Sequence, residues 1–93
     1  MKIVYTSHLE FRLKMRGIPH DFPRKIFQHA KEHYYDNLTK HYIALHQIRF
    51  EGELREMALT YDQEKDLEEI ITLHPIKPYQ KISRINSGRW IKL

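Results

Sequence analysis

Residues 41–50, His-Tyr-Ile-Ala-Leu-His-Gln-Ile-Arg-Phe, alternate with a period of two. Tyr42, Ala44, His46, Ile48 and Phe50 share one face and Ile43, Leu45 and Arg49 the other, the pattern of a long strand packed on a core. Glu51-Gly52-Glu53 reads as a hairpin turn into a second strand over Leu54–Tyr61, and Asp62-Gln63-Glu64-Lys65 as a turn into a third over Asp66–Pro75. That third stretch organises the chain. It starts polar, becomes β-branched at Ile70, Ile71 and Thr72, and displays His74 before Pro75, where a missing backbone donor predicts that pairing stops. Tyr34–Asp36 precedes as a short strand with a turn over Asn37–Lys40, so this half of the chain spells an antiparallel meander.

Ahead of the meander the spacing is helical. Lys2–Thr6 is a short β-rich edge strand, after which Ser7-His8-Leu9-Glu10 fits a capping box that opens a helix. Leu9 and Leu13, with Phe11 or Met15, form its apolar stripe, and Gly17 and Pro19 end it. Asp21 caps a second helix with Pro23 in the first turn and Ile26, Phe27 and Ala30 inward, ending near Lys31 or Glu32. Beyond Pro75, the prolines predict an irregular Ile76–Lys81, then a brief strand over Ile82–Ile85, a turn at Asn86-Ser87-Gly88, and Arg89–Leu93 as a last strand or a tail. The expected fold is a single α+β domain over residues 1–93, two N-terminal helices packed on a small, mainly antiparallel twisted sheet.

A chain of 93 residues buries roughly 60–65% of the surface its unfolded form exposes, which argues against a deep cofactor cavity. The 16 Lys and Arg against 12 Asp and Glu, a net charge of +4, favour an acidic partner such as nucleic acid. With no Cys there is no disulfide, no thiolate nucleophile and no Cys-ligated zinc, in keeping with a reducing cytoplasm. No signal peptide or membrane span is expected, and the expected location is cytoplasmic.

The basic residues are unevenly placed. His8, Arg12 and Arg16 recur every four residues and so line one face of the first helix. Arg49 and Arg55 lie across the central hairpin, and the tail from Ile76 carries Lys77, Lys81, Arg84, Arg89 and Lys92 with no acid. Arginine forks match phosphate oxygens, and histidine exchanges protons near neutral pH. Together they suit attack of an RNA 2′-hydroxyl on its own phosphate, chemistry that needs an acid, a base and charge stabilisation but no metal. The candidate catalytic set is His8, Arg16, His74, Arg84 and Arg89, with either histidine as acid or base. Arg12, Arg49, Arg55, Trp90 and Lys92 are the candidate RNA contacts, with Trp90 offered as an exposed stacking face near the terminus. His29 and His33 are a conceivable metal pair if the second helix reaches that far, but no third ligand is evident, so neither metal nor cofactor is expected.

The pattern Ser7-His8-Leu9-x-x-Arg12-Leu13-x-x-Arg16-Gly17-Ile18-Pro19, followed by Ile71-Thr72-Leu73-His74-Pro75 and Arg84-Ile85-x-Ser87-Gly88-Arg89-Trp90, resembles a small prokaryotic family related to the RelE/ParE/BrnT toxin superfamily. The resemblance implies a toxin-like fold and a cognate antitoxin as partner, in an assembly with that antitoxin or with further copies of the toxin. RelE-like members cleave messenger RNA, commonly on the ribosome; ParE-like members inhibit DNA gyrase without cleaving anything. His8, Arg16, Arg84 and Arg89 match that pattern best by position. The leading expectation is therefore a ribonuclease toxin, and the alternative a non-catalytic inhibitor of a protein target or a nucleic-acid-binding module.

Overall fold

A computed structural model describes residues 2–93. In chain order the elements are β1 (Lys2–Tyr5), α1 (Ser7–Arg16), α2 (Phe22–His29), β2 (Glu32–Asp36), β3 (His41–Phe50), β4 (Glu53–Glu64), β5 (Leu67–Ile76), α3 (Pro78–Asn86) and β6 (Trp90–Lys92). The six strands form one sheet in the order β1-β5-β4-β3-β2-β6. Its middle is the meander that the period-two pattern demands: β3 pairs antiparallel with β4 from Tyr42↔Tyr61 to Phe50↔Glu53, and β4 with β5.

The alternation of β3 and β4 sends apolar groups to both faces, and each face carries its own core. Ala44, Met57, Leu59, Tyr61 and Ile70 pack under Leu9 and Leu13 of α1 and Ile26 of α2. Ile43, Leu45, Ala58 and Ile76 pack with Tyr34 and Trp90 on the opposite face.

The expected architecture is overturned in two respects: the sheet is mixed, and there are three helices. β1 runs parallel to β5, with Lys2↔Leu67 through Tyr5↔Ile70 in register. Four β-prone residues do not reveal their partner, and parallel pairing becomes available because α1, α2 and the meander intervene before the chain returns. The third helix occupies the tail segment that was expected to be irregular and then extended. Pro78 stands at its first turn, where a missing N–H is no loss, and Lys77 is extended (φ −88°, ψ 151°), as the residue before proline prefers. Gln80 Oε1 accepts the Lys77 backbone N–H at 2.9 Å and completes the start. The proline that looked like an interruption is a helix-initiating residue.

Smaller departures share this local origin. Thr6, not Ser7, caps α1, its Oγ1 accepting the Leu9 N–H at 3.1 Å. Asp21 makes no side-chain cap on α2, and its carboxylate meets Lys25 Nζ at 3.2 Å instead. Helix α2 stops at His29 because Ala30 is already extended. Strand β5 continues through Pro75, which lies opposite Met57, to Ile76. This is tolerated because β1 ends opposite Ile70, so the outer edge of β5 is free beyond that point and a missing donor there costs no ladder bond.

Candidate active site

The free half of β5 is where the chemistry gathers. Thr72 and His74 lie level with Thr60 and Ala58 of β4, on the sheet face that carries Trp90 and α3. A cleft of about 310 Å³ opens there, with Thr60 and Thr72 in its lining, His41 and His74 among its walls, and Arg84 and Arg89 contributed by the tail. On the other side of the same strand edge, a groove of about 280 Å³ runs between β5 and α1, lined by Arg12 and Arg16 together with Thr72, Leu73 and His74. His74 borders both.

His74 is exposed, yet its imidazole is held below its ordinary value of 6.5, first by partial desolvation and then by the guanidiniums of Arg84 and Arg12. Two positive neighbours and a crowded ring both disfavour the imidazolium. His74 is therefore neutral at physiological pH, the state a proton acceptor needs.

His41 is placed differently. Its Nδ1 lies 2.7 Å from Asp62 Oδ1, so the carboxylate fixes the orientation of the ring, and Nε2 has no protein partner among the described residues. This is the arrangement of an oriented acid–base group. Sequence reading missed the pair by treating Asp62 as a turn residue. The signal was there: extending the hairpin outward from Phe50↔Glu53 in single steps reaches Tyr42↔Tyr61 and sets His41 level with Asp62.

Behind the cleft, Asp36 is 1% exposed and organises the tail. Arg89 donates through Nε and a terminal nitrogen to its two oxygens, both at 3.0 Å, and Trp90 Nε1 donates to Oδ2 at 3.3 Å. The backbone amides of Leu38 and Thr39 complete the set at 2.9 and 3.4 Å. Desolvation opposes ionisation here, but the Arg89 bonds and the two amides outweigh it and hold the carboxyl at about 2, well below 3.8. Arg84 lies over the Trp90 indole, 5.3 Å from its centroid, and among the described residues it has no carboxylate partner.

Of the sequence-derived candidates, His74, Arg84, Arg89, Arg12 and Arg16 converge on this end of β5. Arg89 does so with its fork occupied by Asp36. His8 is exposed on the first turn of α1 and lines neither cavity. Arg49 donates to Gly52 O at 3.3 Å and Arg55 to Glu53 Oε2 at 2.8 Å, both at the tip of the β3–β4 hairpin. Lys92 Nζ sits 5.8 Å over the Tyr34 ring on the opposite sheet margin. Trp90 is buried at 3% exposure, so its ring is a platform for Arg84 and not an open stacking surface. His29 Nδ1 bonds Lys25 O at 2.8 Å, whereas His33 is on β2 with Nδ1 2.7 Å from the Tyr61 hydroxyl, so the two histidines do not face a common point from one helix. Among the described residues no three His, Cys, Asp or Glu side chains are grouped to hold a metal.

No protein-family model matches the chain, and comparison with curated proteins and with solved structures returned no match. No helix among the described residues is long and apolar enough to cross a membrane.

Proposed function

We propose that this protein is an endoribonuclease of the toxin type, partnered by an antitoxin, that cleaves RNA by internal transfer to the 2′-oxygen without calling on a metal. The supporting observation is that two histidines in contrasting settings, His41 oriented by Asp62 and His74 beside Arg84 and Arg12, line one cleft. The toxin and antitoxin part of the reading rests on the family resemblance.

Neutral His74 takes the proton of the 2′-hydroxyl as that oxygen bonds to phosphorus. Protonated His41 delivers a proton to the 5′-oxygen as the P–O5′ bond breaks, leaving a 2′,3′-cyclic phosphate and a 5′-hydroxyl. Arg84, free of any carboxylate and held by the indole, faces the equatorial oxygens whose charge grows in the transition state. Arg89 acts through Asp36 and Trp90 as a positioning residue.

The test is incubation of the folded protein with labelled RNA in chelator, beside His41→Ala and His74→Ala. General acid and base groups contribute about 10²–10⁴-fold each, so each single variant is expected to lose at least about a hundredfold and to change the pH profile. Undiminished cleavage by both variants refutes the assignment. A second reading, a protein-binding inhibitor, draws on Phe11 and Met15 of α1 and Tyr79 and Ile82 of α3, apolar side chains 60%, 70%, 66% and 56% exposed. It predicts no cleavage by the wild type with or without ribosomes, and a target-binding activity that survives loss of both histidines.

A further inference from the structure

The groove between α1 and β5 is distinct from the cleft that holds the two histidines, yet it is continuous with it around the free strand edge. Thr72 and His74 line both spaces. Its polar wall is Arg12 and Arg16, one helical turn apart and so separated by about 6 Å along the axis. No acidic side chain lines the groove, and among the described residues neither arginine has a carboxylate partner.

Ion pairs form elsewhere on the chain. Lys25, Arg55, Lys81 and Arg89 are each within ion-pair distance of Asp21, Glu53, Glu32 with Glu56, and Asp36 respectively. Arg12, Arg16 and Arg84, like several other surface cations, have no acid within ion-pair distance among the described residues. What sets these three apart is position, since they come from two helices on opposite sides of the sheet and gather around the end of β5. Clustering like charges without counter-charge destabilises the free protein, and a bound polyanion removes the penalty. The floor of the groove, Leu9, Leu13 and Ile18, gives apolar surface beside the charges, which suits a sugar or base edge attached to a phosphate.

We infer that the α1–β5 groove is a second phosphate subsite, seating the phosphate that flanks the scissile one, so that the substrate class is single-stranded RNA extending past the cleaved linkage. The inference rests on the nuclease reading for which linkage is scissile, but the groove binds a backbone phosphate whether or not cleavage follows. Duplex RNA does not fit this geometry. Two cavities of about 280 and 310 Å³ on either side of one strand edge admit a strand bent around that edge, not a paired helix.

The experiment uses 2′-O-methyl oligonucleotides, which bind without being cut, as a dinucleotide and as the same dinucleotide with one added flanking phosphate. Affinities are measured across a salt series for the wild type and for Arg12→Gln/Arg16→Gln; both arginines are exposed, and folding is checked by circular dichroism. The added phosphate is expected to tighten wild-type binding about tenfold or more, and this increment is expected to collapse to less than about twofold in the double variant. For a longer single strand, loss of the one flanking-phosphate contact lowers the slope of log K against log salt by about 0.7. An increment of equal size in both proteins, or none in the wild type, overturns the subsite. Cleavable RNA, run in parallel, separates the two ideas: an arginine-dependent increment without cleavage refutes the nuclease and keeps the subsite, whereas cleavage without the increment does the reverse.

Discussion

Trp90 carries Arg84 on its indole face while its Nε1 donates to Asp36 Oδ2, so one buried side chain links the acid that holds the tail to the arginine that faces the cleft. The ring also lies 5.5 Å from Tyr34, which supports it from the neighbouring strand β2. Trp90→Phe keeps a ring for Arg84 but removes the donor. Asp36 still accepts from Arg89 and two amides, so the expected loss is about 1 kcal/mol. Trp90→Ala removes platform and packing together and is expected to cost about 3–5 kcal/mol. Denaturant midpoints at constant m-value measure both. A Phe variant as damaged as the Ala variant would place the weight on the hydrogen bond and not on the ring.

Asp36 sets an acid limit on the fold. Its carboxyl titrates at about 2 in the folded chain against 3.8 ordinarily, so the ionised form is what folding favours. The group therefore contributes stability that is complete above about pH 4 and is lost as pH falls towards 2, amounting to about 2 kcal/mol. Asp36→Asn, measured by urea unfolding at pH 7 and again near pH 2.5, is expected to show a large deficit at the first and a much smaller one at the second. An equal deficit at both would show that the charge on Asp36 is not what holds the tail.

His74 acts in the same direction at a higher pH. Its depressed titration means that the unfolded chain takes up a proton first, so this site contributes stability above 6.5 that falls away as the solution is acidified below it. The acid limb of cleavage is expected to lie below 6.5 for the same reason. Arg84→Gln removes one of the two cations named as causes and is expected to move the His74 titration upward, read from its ring proton by NMR with no need for activity. An unchanged or lower titration would detach Arg84 from His74.

Much of the site was legible from residue type and spacing, and the part that was not shows why. His74 was singled out because a β-branched run before proline reads as a strand end; the strand instead continues to Ile76, and His74 borders the clefts because β1 leaves that edge of β5 unpaired. Arg12 and Arg16 were found because a four-residue spacing defines a helix face without any tertiary information. His41 was missed, although hairpin register alone sets it level with Asp62, because the strand was taken to stop at Tyr61. His8 shares the helix face of Arg12 and Arg16 but lies one turn before them and lines neither cavity. Trp90, at the end of a basic tail, reads as exposed; its burial depends on Asp36, a residue 54 positions earlier.

The chain by itself determined the meander, the two N-terminal helices and the presence of unpaired cations, since period, caps and charge are local properties that each residue carries into any environment. Tertiary structure decided which of those cations remain free. Asp36 turns Arg89 into a structural group, and Glu32 and Glu56 do the same for Lys81, while Arg12, Arg16 and Arg84 meet no acid. It also decided that β1 pairs with only the first part of β5, and so left the strand edge at His74 open. Both outcomes follow from contacts between residues far apart in sequence. Such contacts form only where the two faces of the sheet are buried together, which no local pattern specifies.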